Sequence, residues 1–246
     1  GLMLIVRRVA GLVTVQDRGR PGFAAHGVPR GGALVPALAR RANGALGHDE
    51  GAACLEIFGR FAAVAETAVE IATERADARA LRVGEAIVVD PDPKLRVRYL
   101  AIAGGVDAPL HLGSRATLLA AELGRPLRAG DRVAPSAERA DRAVRARQTE
   151  ARAPDAFDLR DPVRLLAGPD RPELAHALAH APWRIGAASD RTGTRLEGAP
   201  IPHDALARIP SSPMVPGAVQ LPPGGTPIVI GPDGPTTGGY PIVAVV

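Results

Sequence analysis

The sequence predicts a mainly β protein with short helices. Its apolar residues fall into many short segments, several of which alternate with polar residues as half-buried strands do. The 28 glycines and 24 prolines favour a chain with many turns over one with long helices. Many short strands with a few short helices are typical of barrels and sandwiches rather than of alternating βαβ sheets.

The first half of the chain contains several predicted strands. They lie at residues 2–16 (two short strands around a glycine), 55–71, 80–89 and 97–103. Residues 33–46, rich in Ala and Leu, predict a helix that ends at Gly47. Residues 115–123 predict a second, short helix with Ser114 as its N-cap.

The second half begins with a segment of different composition. Residues 135–162 are rich in Arg, Ala, Asp and Glu, which predicts a charged linker between an N-terminal module (1–134) and a C-terminal module (163–246). In the C-terminal module we predict strands at 163–167 and 183–185, a helix at 169–180, a hairpin of 217–221 with 226–231, and a last strand at 241–246.

Charge and composition exclude several classes of protein. The net charge is +4 and the isoelectric point about 10.1, but Lys94 is the only lysine, and acidic residues are interleaved with the arginines. Without a basic block or aromatic residues for stacking, solvated arginine is favoured over nucleic-acid binding. Cys54 is the only cysteine and is expected in the core. No apolar run is long enough to span a bilayer and the first residues predict a strand rather than a signal peptide, so we expect a cytoplasmic protein.

The sequence lacks the common cofactor and catalytic motifs. It has no phosphate-binding GxxxxGK[ST], no HExxH, no CxxC and no GxSxG. His176 and His180 have a metal-binding spacing but no third ligand, so we predict a solvated helix face and no metal site. Lys94 does not lie in a Met-Lys-Met motif, so any biotin would be carried by another chain, and no covalently bound cofactor is expected.

Four loops combine glycine with polar side chains beside a strand end. They are residues 16–20 (QDRGR), 113–117 (GSRAT), 189–193 (SDRTG) and 236–240 (TTGGY). Glycine lets backbone N–H groups approach a ligand, arginine offers a planar fork for an anion, and hydroxyl groups can donate to an oxyanion. These loops together would suit a small anionic or amide substrate. The alternative is that they are ordinary turns, locked by Asp–Arg pairs and hydroxyl caps.

A set of motifs, in this order along the chain, resembles one family. They are TVQDRGRPG (14–22), GVP (27–29), AGGVD (103–107), LGSR (112–115), SDR (189–191), VPGAVQLP (215–222) and TTGGYP (236–241). The family is the biotin-dependent carboxyltransferase-like family, also called allophanate hydrolase subunit 2. It includes the C subunit of bacterial 5-oxoprolinase and the carboxyltransferase domain of urea carboxylase.

The resemblance implies two linked cyclophilin-like β-barrel modules with the site in a cleft between or beside them. It implies two partners, an allophanate hydrolase subunit 1-like protein (below, the companion subunit) and a lactam-hydrolase-like protein. In the 5-oxoprolinases these proteins together convert 5-oxoproline to glutamate at the expense of ATP, which would bind to a partner. In urea carboxylase the related domain transfers a carboxyl group from carboxybiotin to urea.

The candidate site residues follow from the loops and the resemblance together. Catalytic or charge-holding roles are assigned to Asp17, Arg20, Ser114, Arg115, Asp190 and Arg191. Substrate-binding roles are assigned to Gln16, Ser189, Thr236, Thr237, Gly238, Gly239 and Tyr240. We expect the arginines to hold anionic groups, the aspartates to orient them or accept a proton, and the hydroxyls with the glycine amides to bind a carbonyl oxygen.

The sequence also departs from the family pattern. Polar residues usual in the family are replaced at Gly31, Val35, Ser212, Gly234 and Pro235. Three hypotheses therefore stay open: a subunit of an ATP-dependent amide-processing enzyme, a non-catalytic structural or regulatory partner of the companion subunit with a degenerate site, and a carboxyltransferase that uses carboxybiotin from another chain.

Overall fold

The computed structural model describes residues 4–136, 162–203 and 209–246. They form two compact units. One contains the described residues of Gly1–Arg20 and Gly31–Asp158, and the other those of Pro21–Arg30 and Leu159–Val246. The predicted linker at 135–162 lies outside the described residues except for 135, 136 and 162, and the predicted module boundaries stay a prediction.

The first unit is built on a seven-stranded antiparallel sheet. Its elements are β1 (Leu4–Gln16), α1 (Pro36–Ala45), β2 (Cys54–Ala65), β3 (Val69–Thr73), β4 (Arg79–Leu81), β5 (Ala86–Val89), β6 (Arg98–Ile102) and β7 (Arg132–Val133). The strand order is β4-β3-β6-β2-β1-β7, and β5 pairs with β2. Strand β2 therefore pairs with β6 near its start and with β5 near its end.

The two faces of this sheet have different partners. Odd-numbered residues of β2, such as Leu55 and Ile57, are fully buried in the main apolar cluster with Val13 of β1 and Leu100 of β6. Even-numbered residues point to the opposite face, as the two-residue period of a strand requires. There Cys54 packs against α1 in a second cluster with Tyr99, Ala101 and Leu38.

A pair of facing glycines lies in the middle of the long antiparallel pair β1 and β2. Gly11 and Gly59 are register partners, with φ values of 119° and 95°. A Cβ at Gly11 would lie 2.1 Å from the Phe58 carbonyl oxygen, and one at Gly59 would lie 2.1 Å from the Ala10 carbonyl oxygen. Only glycine can therefore occupy either position without a shift of the opposite strand.

The second unit contains shorter strands. Its elements are β8 (Leu166–Ala167), α2 (Leu174–His180), β9 (Arg184–Ile185), β10 (Gly193–Glu197), β11 (Ser212–Pro213), β12 (Ala218–Gln220), β13 (Ile228–Ile230), β14 (Thr237–Gly238) and β15 (Ile242–Val245). Six strands form one sheet in the order β8-β15-β12-β13-β10-β9, and β11 pairs with β14 in a separate ribbon. One face packs Val219 and Val243 against Leu178 of α2, and the other packs Ala218 with Met214.

The mainly β prediction is confirmed, since fifteen strands and two α-helices occupy the described residues. The hairpin of β12 and β13 is also confirmed, with its turn closed by a 2.9 Å hydrogen bond from the Gly225 amide to the Pro222 carbonyl oxygen. No helix in the described ranges is both long and apolar enough to cross a bilayer.

Two predicted elements are wrong. Residues 2–16 do not form two strands, because β1 continues through Gly11 without a break. The helix predicted at 115–123 is absent, and only Leu119–Ala121 forms a 3-10 turn. One backbone amide near the start of that segment is used by the end of β1, because the Thr117 amide donates to the Val15 carbonyl oxygen at 2.9 Å.

Replacement of Arg98 by Met should destabilise the first unit strongly. Arg98 and Glu74 form a salt bridge with side chains only 9% and 2% exposed, and Glu74 also accepts the Tyr99 amide at 2.9 Å. Removal of one partner leaves a buried charge uncompensated, which costs about 3–5 kcal/mol. The measurement is the free energy of unfolding from urea denaturation followed by circular dichroism.

The matched control is Arg132→Met, which removes the exposed ion pair between Arg132 and Glu66. Such surface pairs contribute about 0–1 kcal/mol. Equal losses in the two variants would contradict the assignment of the Arg98 pair as the stronger contributor.

Candidate functional site

One end of the first sheet brings together polar residues from separate parts of the chain. Strands β1 and β6 both run antiparallel to β2, so their last residues lie beside the first residues of β2. There Gln16 is the register partner of Cys54, and the Val106 amide donates to the Ala53 carbonyl oxygen at 2.8 Å. The loop that follows β1 begins at this end with Asp17.

Asp17 joins three segments of the first unit. Its Oδ1 accepts hydrogen bonds from the Gly19 amide at 2.7 Å and the Ser114 hydroxyl at 2.6 Å, and its Oδ2 accepts one from the Arg115 amide at 2.7 Å. Its backbone carbonyl accepts the Ala33 amide at 3.0 Å. The carboxylate thus holds the loop after β1 against the loop that contains Ser114, two candidate loops that lie almost a hundred residues apart in the sequence.

Gln16 and Arg20 reinforce the same junction. Both are buried, at 0% and 1% exposure. The Gln16 Nε2 atom donates to the Thr117 carbonyl oxygen at 3.2 Å, and the Arg20 guanidinium donates to the carbonyl oxygen of Ala116. These donor groups therefore bind the neighbouring loop, whereas Gln16 Oε1 is buried and has no hydrogen-bond partner among the described residues.

The Arg115 guanidinium is also engaged by protein acceptors. It donates to the Asp107 carboxylate at 3.0 Å, to the Ala108 carbonyl oxygen and to the Ser136 hydroxyl at 3.2 Å. A planar fork with acceptors of this kind positions a loop. An anionic substrate would have to compete with these contacts.

Cys54 lies at this end of the sheet, fully buried. Burial raises the pKa of its thiol far above the ordinary value, and the negative charges of Glu56 and Asp17 raise it further. The thiolate is the nucleophilic form of cysteine. Cys54 is therefore a packed thiol and not a nucleophile.

In the second unit, Ser189 and Asp190 form a compact turn before β10. The Ser189 hydroxyl accepts the Arg195 amide at 2.9 Å. Asp190 Oδ1 accepts the amides of Thr192 at 2.8 Å and Gly193 at 3.1 Å, the pattern of an Asx turn. Both side chains thus close a local turn.

Arg191 forms a bidentate ion pair with Asp233. Its Nε and Nη2 atoms donate to the two carboxylate oxygens, each at 2.7 Å, and the side chains are only 7% and 9% exposed. This two-pronged geometry is the strong form of an arginine–carboxylate pair. It fixes the turn before β10 to the turn after β13, immediately before the 236–240 loop.

The 236–240 loop is held by the ribbon of β11 and β14. Ser212 is the register partner of Gly238. A Cβ at Gly238 would lie 2.4 Å from Gln220 Nε2, which donates to the Tyr240 carbonyl oxygen at 3.3 Å. Glycine at position 238 therefore leaves the space in which the Gln220 amide makes its hydrogen bond to the Tyr240 carbonyl oxygen.

The hydroxyl groups of this loop differ from those of Ser114 and Ser189. Thr237 is exposed and Thr236 half-buried, and neither hydroxyl makes a hydrogen bond to any residue that the structure describes. Gly239 follows them, also half-buried. Of the candidate loops, this one therefore offers hydroxyl groups whose hydrogen bonds are available to a ligand carbonyl.

The described ranges contain no group of three or more His, Cys, Asp or Glu side chains arranged to hold a metal ion. The imidazoles of His176 and His180 stack with centroids 4.0 Å apart, and His180 Nδ1 lies 2.8 Å from the His176 carbonyl oxygen. That contact leaves one nitrogen of His180 for other partners.

Sequence reasoning missed four residues that support these loops: Glu56, Tyr99, Gln220 and Asp233. Glu56 carried a usable signal, because a single carboxylate in the apolar run CLEIF of a strand predicts a buried, hydrogen-bonded acid. Asp233 pairs with a residue 42 positions away. No local pattern in the sequence could identify that partner.

Replacement of Asp17 by Asn should lower the free energy of unfolding by about 1–3 kcal/mol, because an amide NH₂ would face the buried donors that the carboxylate now accepts. The control is Asp49→Asn. The Asp49 carboxylate also accepts a hydrogen bond from a backbone amide, that of Gly51 at 2.7 Å, but its side chain is 54% exposed. Asp49→Asn should therefore lower the free energy of unfolding by less than about 1 kcal/mol. Urea denaturation of both variants tests the pair, and an Asp17 variant as stable as the Asp49 variant would refute the role of the junction.

The comparisons with known proteins identify the family of the chain. The model of the family "Carboxyltransferase domain, subdomain A and B" matches residues 26–246. The chain is 34% identical over 273 residues to the 5-oxoprolinase C subunit of Escherichia coli, covering 99% of this chain and 84% of that protein. It is 28% identical over 265 residues to the Haemophilus influenzae protein of the same name, at 98% and 84% coverage.

Solved structures give the same result for the fold. TTHA0988 superposes with a TM-score of 0.82 at 30% identity over 100% of this chain, which spans about half (52%) of TTHA0988. The Kluyveromyces lactis urea carboxylase superposes with a TM-score of 0.78 at 24% identity, over 100% of this chain and 25% of that one. Because the family model matches most of the chain and these relatives align along its length, the chain belongs to the family of carboxyltransferase domains with subdomains A and B.

Proposed function

We propose that this chain is one component of an ATP-dependent amide-processing enzyme of the 5-oxoprolinase type. The observation that carries the proposal is the 34% identity with a 5-oxoprolinase C subunit along 99% of this chain. Both relatives are named as subunits, which supports an assembly with other proteins here too. These would be the companion subunit, of the allophanate hydrolase subunit 1 type, and a lactam-hydrolase-like protein.

In this proposal the 236–240 loop binds the substrate. The Thr236 and Thr237 hydroxyls, with the Gly239 amide, would donate hydrogen bonds to the carbonyl oxygen of a small cyclic amide. The Gly238 amide is used in the pairing with Ser212 and would not take part. The absence of a described protein partner for both hydroxyls supports this role. Tyr240, which is 39% exposed, would border the bound ring.

The polar groups of the first unit would act mainly by positioning. The Ser114 hydroxyl and the Arg115 amide both donate hydrogen bonds to the Asp17 carboxylate, and the Arg20 guanidinium donates to the same loop. Their role would be to hold two loops in the geometry that the reaction requires. ATP would bind to a partner protein, because this sequence contains no phosphate-binding loop motif.

A second candidate function is a non-catalytic structural or regulatory partner of the companion subunit. It is favoured by one specific observation: the charged candidates Asp17, Arg115 and Arg191 all form hydrogen bonds within the protein itself. In this case the junctions would keep the fold rigid for binding to the companion subunit. Carboxyl transfer from carboxybiotin, the third candidate, requires a biotin-carrying partner, which a streptavidin blot of the native complex would detect.

Reconstitution tests the enzyme proposal. We expect the chain, combined with its companion subunit and the lactam-hydrolase-like protein, to release glutamate from 5-oxoproline only in the presence of ATP. The assay is repeated without this chain. Turnover that persists in its absence would support the non-catalytic candidate, and no turnover in the complete complex would remove the 5-oxoprolinase interpretation.

Within an active complex, Thr237→Val should lower kcat/KM for 5-oxoproline by about tenfold. The substitution keeps the β-branched shape and removes one hydroxyl, whose hydrogen bond to a substrate contributes about 1 kcal/mol or more. The control is Thr226→Val, an exposed threonine in the turn between β12 and β13. Equal kcat/KM values for the two variants would exclude Thr237 from substrate binding.

A further inference from the structure

Two buried residues lie on the face of the first sheet that packs against α1. They are close to the Asp17 junction, which is the contact that Asp17 makes between the loop after β1 and the loop that contains Ser114. Glu56 of β2 and Tyr99 of β6 are register partners, and both are 0% exposed. The Tyr99 hydroxyl donates to Glu56 Oε2 at 2.7 Å. Burial and the nearby Glu56 carboxylate raise the pKa of Tyr99 well above its usual value, so the hydroxyl keeps its proton.

Both residues hold the segment that precedes α1. Glu56 Oε2 accepts the Leu34 amide at 2.7 Å, and the Tyr99 hydroxyl oxygen accepts the Val35 amide at 2.9 Å. Val35 is the N-cap residue of α1, a position where its own side chain provides no cap. The amide of an N-cap residue is the one that the N3 Glu or Gln of a capping box would accept, and here Tyr99 of the sheet accepts it instead.

The same segment contacts the Asp17 loop directly. The next amide towards the N-terminus, that of Ala33, donates to the Asp17 carbonyl oxygen at 3.0 Å. Gly32, with φ 88°, lies so close to this loop that a Cβ would be 2.7 Å from the Gly19 nitrogen and 2.9 Å from the Asp17 carbonyl oxygen. Three consecutive amides are thus held by Asp17, Glu56 and Tyr99.

We infer that Glu56 and Tyr99 are positioning residues for the candidate site. They act through the segment of residues 32–35, which packs closely against the Asp17 loop. Asp17 in turn accepts hydrogen bonds from Ser114 and Arg115. Loss of either acceptor would release the segment and loosen the junction, while the apolar core on the other face of the sheet would stay packed. The effect on turnover rests on the proposed function, whereas the effect on the segment does not.

Amide hydrogen exchange tests the inference in the full chain without reference to activity. In Tyr99→Phe and Glu56→Met, we expect protection at the amides of residues 33–35 to fall by about tenfold or more, relative to the core amide of Leu55 in the same variant. Glu56→Gln keeps an oxygen that can accept from both Leu34 and Tyr99, so its protection should stay within about threefold of the parent chain.

The control is Thr73→Val, which removes another buried hydroxyl of the first unit, one that donates to Asp77 at 2.7 Å. It should leave the amides of residues 33–35 unchanged. Unchanged protection in Tyr99→Phe, or an equal loss in Thr73→Val, would overturn the inference. A fall in protection throughout the sheet, including Leu55, would also overturn it, because the two residues would then be general core residues.

The second measurement is turnover in the reconstituted complex. A positioning role predicts that Tyr99→Phe lowers kcat about tenfold with KM for 5-oxoproline changed less than about threefold, and that Glu56→Gln restores kcat relative to Glu56→Met. Loss of local protection with kcat unchanged would refute positioning. If the parent complex is inactive, the proposed function fails, and the exchange data still decide whether Glu56 and Tyr99 hold the segment.

Discussion

The first unit depends on the hydrogen bonds of one residue, Asp17. Its carboxylate and carbonyl oxygens together accept four donors, from its own loop, from the segment before α1 and from the loop that contains Ser114. Loops without regular structure keep their geometry only when their backbone amides find partners. Asp17 supplies such partners at the end of β1, where the sheet itself can no longer do so, and the positions of Ser114, Arg115 and Gly32 follow from it.

The second unit uses a different interaction for the same purpose. The bidentate pair of Arg191 and Asp233 joins two turns, and the interaction is buried, so water does not screen it. Gln220 then supports the 236–240 loop through the space that Gly238 leaves open. In both units, charged residues fix the backbone, whereas the hydroxyls of Thr236 and Thr237 make no hydrogen bond within the described part of the chain.

Much of the fold could be predicted because its signals are local. The β12–β13 hairpin is predictable from its apolar strands and its Pro-Pro-Gly-Gly turn, and α1 from a run of Ala and Leu before a glycine. The segment 115–123 could not be predicted in this way, since the amides of Arg115 and Thr117 donate to Asp17 and to Val15 of β1, which are distant in the sequence. The loops of Asp17 and Ser114 are each distinguished by composition, but their contact depends on strand register. Glu56 and Tyr99 were missed for the same reason, because the face of the sheet on which they lie is a property of pairing.

The facing glycines of β1 and β2 lie at a special place in the first sheet. Residues 55–57 of β2 pair with β6 and residues 61–64 pair with β5, so Gly59 stands where β2 changes neighbour. Strand β2 therefore pairs with β1 along one edge, and its other edge is divided between β6 and β5. A larger residue at either position would force the opposite carbonyl aside and disturb the β1–β2 pairing between these two segments, although neither β5 nor β6 pairs with a glycine of this pair. Both positions therefore require glycine because of the close approach of the two strands, and this requirement is independent of the candidate site.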